Sequence, residues 1–97
     1  MNKGTKIIIY GRQYTGETRS ANIQEFAFET EVGKLERLSG IRMMEIPPLK
    51  EGESLEEHMM AIEDEKERFF SDLDAYIAKV FGIMENERIR VKSYTIY

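Results

Sequence analysis

Ser20-Ala-Asn-Ile-Gln-Glu-Phe-Ala-Phe-Glu-Thr-Glu-Val-Gly-Lys-Leu-Glu-Arg-Leu38 decides the fold. Read as a helix capped by Ser20, its apolar residues Ile23, Phe26, Phe28, Val32 and Leu35 spread over more than half the circumference. Gly33 would then sit inside the helix at a cost of about 1 kcal/mol. Read as a strand, Phe26, Phe28, Thr30 and Val32 alternate with Glu25, Ala27, Glu29 and Glu31, the two-residue period of a sheet with one wet face. The strand reading over 22–32 is preferred. A short turn or helix over Lys34–Leu38 follows, closed by Ser39-Gly40.

On either side the signals are simpler. Lys6-Ile-Ile-Ile-Tyr10 is β-branched and aromatic, a strand opening. Ile41-Arg-Met-Met-Glu-Ile46 reads as another strand, ended by Pro47-Pro48, which cannot donate to a ladder. Ser54 with Glu57 forms a capping box, and Gly82 supplies a helix stop, so a helix of roughly 40 Å is predicted over Ser54 to Gly82. Glu87 to Tyr97 is the last strand, with Ile89 and Val91 on one face and Arg88, Arg90 and Lys92 on the other. The expected fold is α+β: about four mostly antiparallel strands in the order β-β-β-α-β, packed on one long helix. The alternative, if 20–38 is helical, is an α/β arrangement of βαβαβ order.

The 97 residues fit one domain, 1–97, and allow a modest core of about two thirds of the unfolded surface. A composition 41% hydrophobic and 33% charged is that of a globular chain. There is no Cys, which removes disulfides, zinc fingers and thiol nucleophiles and fits a cytoplasmic protein. No apolar run approaches the roughly 18 residues of a membrane span, so no membrane partner is expected. The net charge of −4 is uneven. Residues 1–44 carry seven Lys/Arg and five Asp/Glu; 45–75 carry three and eleven; 76–97 carry four and two. The acidic middle disfavours general nucleic-acid binding but leaves room for a local basic patch.

The long helix carries its apolar positions at steps of four and three: Leu55, Met59, Ile62, Phe69, Leu73, Tyr76, Val80 and Ile83, interrupted by Lys66. This is the period of a packing seam. In the C-terminal half Phe70, Ile77 and Phe81 widen the stripe, as a core face requires. In the N-terminal half it stays narrow, flanked by Glu56, Glu63 and Met60. Leu55, Met59, Met60, Ile62, Glu56, Glu63 and Lys66 are therefore the expected partner-binding residues, for a protein partner or a homodimer seam. Asp64 with Arg68 and Glu63 with Lys66 are expected to lace the helix surface.

Tyr10-Gly-Arg-Gln-Tyr-Thr-Gly-Glu-Thr-Arg-Ser20 is the one stretch suggestive of ligand chemistry. A glycine- and hydroxyl-rich loop after a strand can aim N–H groups at phosphate. The candidate ligand residues are Gly11, Arg12, Thr15, Gly16, Thr18, Arg19 and Ser20. Gly11 and Gly16 are spaced as in a P-loop, which the stretch resembles, with Glu17 where that loop has Lys. Tyr10-Gly11 with Thr15-Gly-Glu-Thr18 is similar to the phosphate loop of flavodoxins, with one residue more. Gln13-x-x-Gly16-x-x-Arg19-Ser20 resembles the tyrosine-phosphatase signature, with Gln13 where the nucleophilic Cys stands. Against these stands a plain hairpin turn at Thr15-Gly16-Glu17, which agrees with a strand over 22–32.

His58, the single histidine, reads as a surface residue beside Glu57. No catalytic or metal-ligating constellation and no cofactor motif is recognised. The expected function is a small, acidic, non-enzymatic interaction module: an adaptor, regulator or inhibitor of a larger partner, a class that includes phage and mobile-element accessory proteins. One alternative is a phosphate- or nucleotide-binding domain built on residues 11–20. A second is nucleic-acid binding by a sheet face bearing Tyr10, Tyr14, Tyr94 and Tyr97 with Arg12, Arg19, Arg88, Arg90 and Lys92.

Overall fold

The computed structural model describes residues 5–16 and 22–97. Three strands form an antiparallel sheet of order β2-β1-β3: β1 (Lys6–Thr15), β2 (Asn22–Glu31) and β3 (Glu87–Ile96). Between β2 and β3 come α1 (Val32–Ser39) and α2 (Leu55–Phe81). The fold is α+β, with chain order β-β-α-α-β. The βαβαβ alternative is overturned, because β1 and β2 are consecutive and antiparallel, Thr15 opposite Asn22 and Lys6 opposite Glu31.

The alternation in β2 works as expected: Phe26 and Phe28 pack against the core while Glu25, Ala27 and Glu29 are exposed. Just after this strand the chain turns into α1, whose Leu35 is fully buried. Gly40 closes it at φ 71°, its N–H donating to the Leu35 carbonyl. The Ile41 N–H donates to the same carbonyl at 3.3 Å, and Ile41 is itself buried, the apolar contact that accompanies such a cap.

α2 is the second layer. The Ser54 hydroxyl accepts the Glu57 N–H at 3.1 Å, Glu56 and Glu57 lie in the positive first turn, and Gly82 at φ 63° ends the helix. Only its second half buries side chains: Phe69, Leu73 and Ile77, with Ile7, Ile9 and Ile89 of the sheet. Edge-to-face ring pairs mark its path, Phe69 with Tyr94 of β3 at 5.1 Å and Phe26 of β2 with Phe81 at 5.1 Å. The helix therefore crosses the sheet from one edge strand to the other.

The expected strand over Ile41–Ile46 is absent among the described residues, which reduces the predicted four strands to three. The backbone groups of this segment bond to side chains of α2 instead of a ladder. Arg68 donates to the carbonyls of Arg42 at 2.6 Å and Met43 at 3.4 Å. Glu65 accepts the Glu45 N–H at 3.0 Å. The partner of Arg68 is thus not the Asp64 that helix spacing suggested but Glu65, at 2.8 Å, and Asp72, at 3.0 Å.

β1 pairs along its whole length with both neighbours, apart from one irregularity. Tyr10 faces Ser93 while Gly11 faces Val91, which leaves Lys92 without an opposite residue. This bulge shifts the alternation of β3 by one. Ile89 and Val91 point inward before it; Tyr94 points inward after it and meets Phe69.

Candidate interaction surface

The seven residues singled out on α2 divide by their position around the helix. Leu55, Met59, Ile62 and Lys66 lie on the line that continues through Phe69 and Leu73, since steps of four and three return to one face. Phe69 and Leu73 are fully buried, whereas Leu55 is 73% exposed and Met59 55% exposed. Ile62 is half-buried and Lys66 exposed. The face that is core in the second half of the helix thus has no sheet over it in the first. Met60, also exposed, stands one residue, or about 100°, away from Met59. It shares the solvent flank with Glu56 and Glu63, both exposed.

Sequence reading missed the neighbours of this surface. Ile46 and Leu49, on the segment before α2, are exposed apolar side chains. Pro47 and Pro48 line a groove of about 620 Å³ with Ala61, Asp64 and Glu65 of α2. The signal for this was the Pro47-Pro48 pair, which cannot donate to a ladder. His58 is not a free surface residue. Its side chain is 15% exposed, and Nδ1 stands 3.5 Å from the Glu53 carboxylate.

Glu65 is the anchor on the groove side. The Arg68 guanidinium, then the Glu45 N–H and Arg42, hold its carboxyl at about 2, below the usual 4.5. A lowered folded-state value means that the stability from this cluster is present above pH about 4.5 and is lost as the pH falls from there toward 2. Asp74 acts in the opposite sense: burial raises it, partly offset by the Val91 N–H that it accepts at 2.6 Å. Glu65→Gln should therefore melt below wild type at pH 7, with the gap closing as the pH is lowered to 2. Parallel melting temperatures from pH 7 to 2, with a constant gap, would contradict the anchoring role.

The glycine stretch is placed differently from the loop expected. Gly11, Arg12 and Thr15 belong to β1, with Phe26, Glu25 and Asn22 as their partners on β2 and Val91, Arg90 and Glu87 on β3. Their backbones serve a central strand, so the loop expected to begin at Gly11 is not there. Gly16, at φ 100°, donates its N–H to the Asn86 carbonyl at 2.9 Å. Thr18, Arg19 and Ser20 lie outside the described residues. Antiparallel β1 and β2, with Thr15 opposite Asn22, agree with the hairpin reading; Glu17 of the expected turn lies outside the described residues.

Of the aromatic and basic residues expected on one sheet face, the bulge turns Tyr94 into the core. Tyr10, Arg12 and Tyr14 of β1 share the outward face with Arg88 and Arg90 of β3. Tyr97 joins them, its hydroxyl donating to Glu29 at 2.5 Å. No helix among the described residues is long and apolar enough to cross a membrane. Comparison with protein-family models, with curated proteins and with solved structures gave no match for this chain.

Proposed function

We propose that the protein is a non-enzymatic interaction module that docks a protein partner on the first half of α2. It would serve as an adaptor, regulator or inhibitor of that partner in the cytoplasm. The observation that carries this reading is the change in burial along one helix line, from buried Phe69 and Leu73 to open Leu55 and Met59. Apolar side chains on a capped, rigid helix offer a partner surface already in its bound shape. Glu56 and Glu63 on one flank, and Lys66 within the stripe, would set the register of a partner rather than add much affinity.

Met59→Glu tests it. The position is open, so the variant should keep the fold and melt within a few degrees of wild type. It should lose association, whether with a partner retained by the immobilised wild-type chain or with a second copy seen by sedimentation. Wild type that stays monomeric at high concentration and retains no protein that Met59→Glu fails to retain would refute the proposal.

A further inference from the structure

We propose that the outward face of the sheet, between β1 and β3, binds single-stranded nucleic acid. The leading observation is an arrangement that disfavours the fold. Arg12 and Arg90 are directly opposed across the two strands, on the outward face, where opposed like charges are destabilising. Arg88 sits at the next outward position and Lys92 on the bulge. Among the described residues Arg88, Arg90 and Lys92 form no ion pair, and Arg12 meets Glu25 only at 4.0 Å. These four cations have one carboxylate opposite them, Glu25 across from Arg12, with Asp74 of α2 near Arg90. This excess of one sign breaks the rule that cross-strand charges alternate, and such breaks belong at functional sites.

The aromatic residues specify the ligand. The Arg88 guanidinium lies over the Tyr14 ring, 5.4 Å from its centroid, and Tyr10 is exposed two strand pairs along. Alternate residues of a strand stand about 6.8 Å apart, twice the 3.4 Å that one nucleotide adds to a stacked strand. Tyr10, Arg12 and Tyr14 can thus alternate a stacking surface with a phosphate contact. Rings interleaved with cations suit bases on a sugar-phosphate chain, whereas an acidic peptide would use the cations alone. The carboxylates of Glu25 and Glu29 on β2 border the site and confine it to two strands, about 5 Å between centres. That suits one chain better than a duplex. The acidic residues of 45–75 are mostly on α2, the layer behind the sheet. At that depth, about 10 Å or one Debye length at 0.1 M salt, their field on the outward face is weakened. The charge balance that disfavours general nucleic-acid binding therefore bears less on this face than on α2.

The experiment is fluorescence anisotropy of a labelled 20-mer of dT, and of its rU counterpart, with the full chain. Either should bind at 50 mM NaCl, and four phosphate contacts predict about a fifty-fold weaker affinity at 200 mM. Arg90→Glu should cut affinity at least ten-fold while raising the melting temperature, because it replaces a like-charge opposition by an ion pair with Arg12. A purely structural residue would not show that opposite pair of changes. Tyr14→Ala should weaken binding with the salt dependence unchanged. If Arg90→Glu does not fold, Lys92→Glu on the bulge takes its place, with the same expected loss. Met59→Glu should leave oligonucleotide binding intact, which separates this site from the helix surface. No binding of either oligomer at 50 mM NaCl, binding indifferent to both charge reversals, or equal binding of poly-glutamate would overturn the proposal.

Discussion

Gly11→Ala is expected to destabilise the protein by about 2–3 kcal/mol, the upper part of the range for overpacking. A Cβ built on Gly11 would stand 2.5 Å from the Arg90 carbonyl oxygen and 2.7 Å from Cζ of Phe26. Both distances are well inside van der Waals contact. The Phe26 atom is the end of a side chain, whereas the Arg90 carbonyl belongs to the backbone of β3 beside the bulge and is the harder of the two to move. In an ordinary strand the exchange of Gly for Ala would gain roughly 0.4–1 kcal/mol by restricting the unfolded chain. The clash decides the sign here. For a chain of this size the loss is a fall in melting temperature of about 10–20 °C, read by thermal circular dichroism. Gly11→Ala combined with Phe26→Leu should recover part of it but not all, because the carbonyl contact remains. A Gly11→Ala chain melting within about 3 °C of wild type would mean that β1 and β3 separate at this point without cost. It would also remove the reason for a glycine in mid-strand.

The same residue shows where sequence reading stops. Gly11 and the polar residues after it look like a loop, because glycine and hydroxyls punctuate loops more often than central strands. What keeps them in β1 is the fit of the Phe26 ring over the glycine, a contact between residues on different strands. Elements set by local rules were legible: the capped ends of α2, the alternation of Phe26 and Phe28 against the glutamates, and the Gly40 stop of α1. Ile41–Ile46 has strand composition, but Arg68 and Glu65 occupy its backbone groups, and no local pattern announces a long-range side-chain anchor. The bulge at Lys92 was equally hidden. Strict alternation from Ile89 would turn Tyr94 outward and Tyr97 inward; the bulge reverses both. On α2 the stripe itself was plain from its period, but where core ends and open surface begins depends on where the sheet ends beneath it.

That boundary is measurable by truncating side chains on either side of it. Phe69→Ala should cost about 3–5 kcal/mol, the usual loss for a large buried aromatic. Its ring is fully buried and packs edge-to-face with Tyr94 at 5.1 Å and Phe70 at 6.2 Å. A domain this size has on the order of 5–15 kcal/mol in all. The variant is thus expected to melt about 20 °C or more below wild type. Met59→Ala, on the same helix line, should change stability by no more than about 0.5 kcal/mol, because the residue is more than half exposed. Urea unfolding of both variants gives the two values on one scale, with an unchanged slope showing that the unfolded state is the same. A large loss at Phe69 beside a negligible one at Met59 makes the stripe half core and half free surface, as docking of a partner needs. A loss of 2 kcal/mol or more at Met59 in the isolated chain would mean that the first half of α2 is already packed, and the proposed docking surface would be gone.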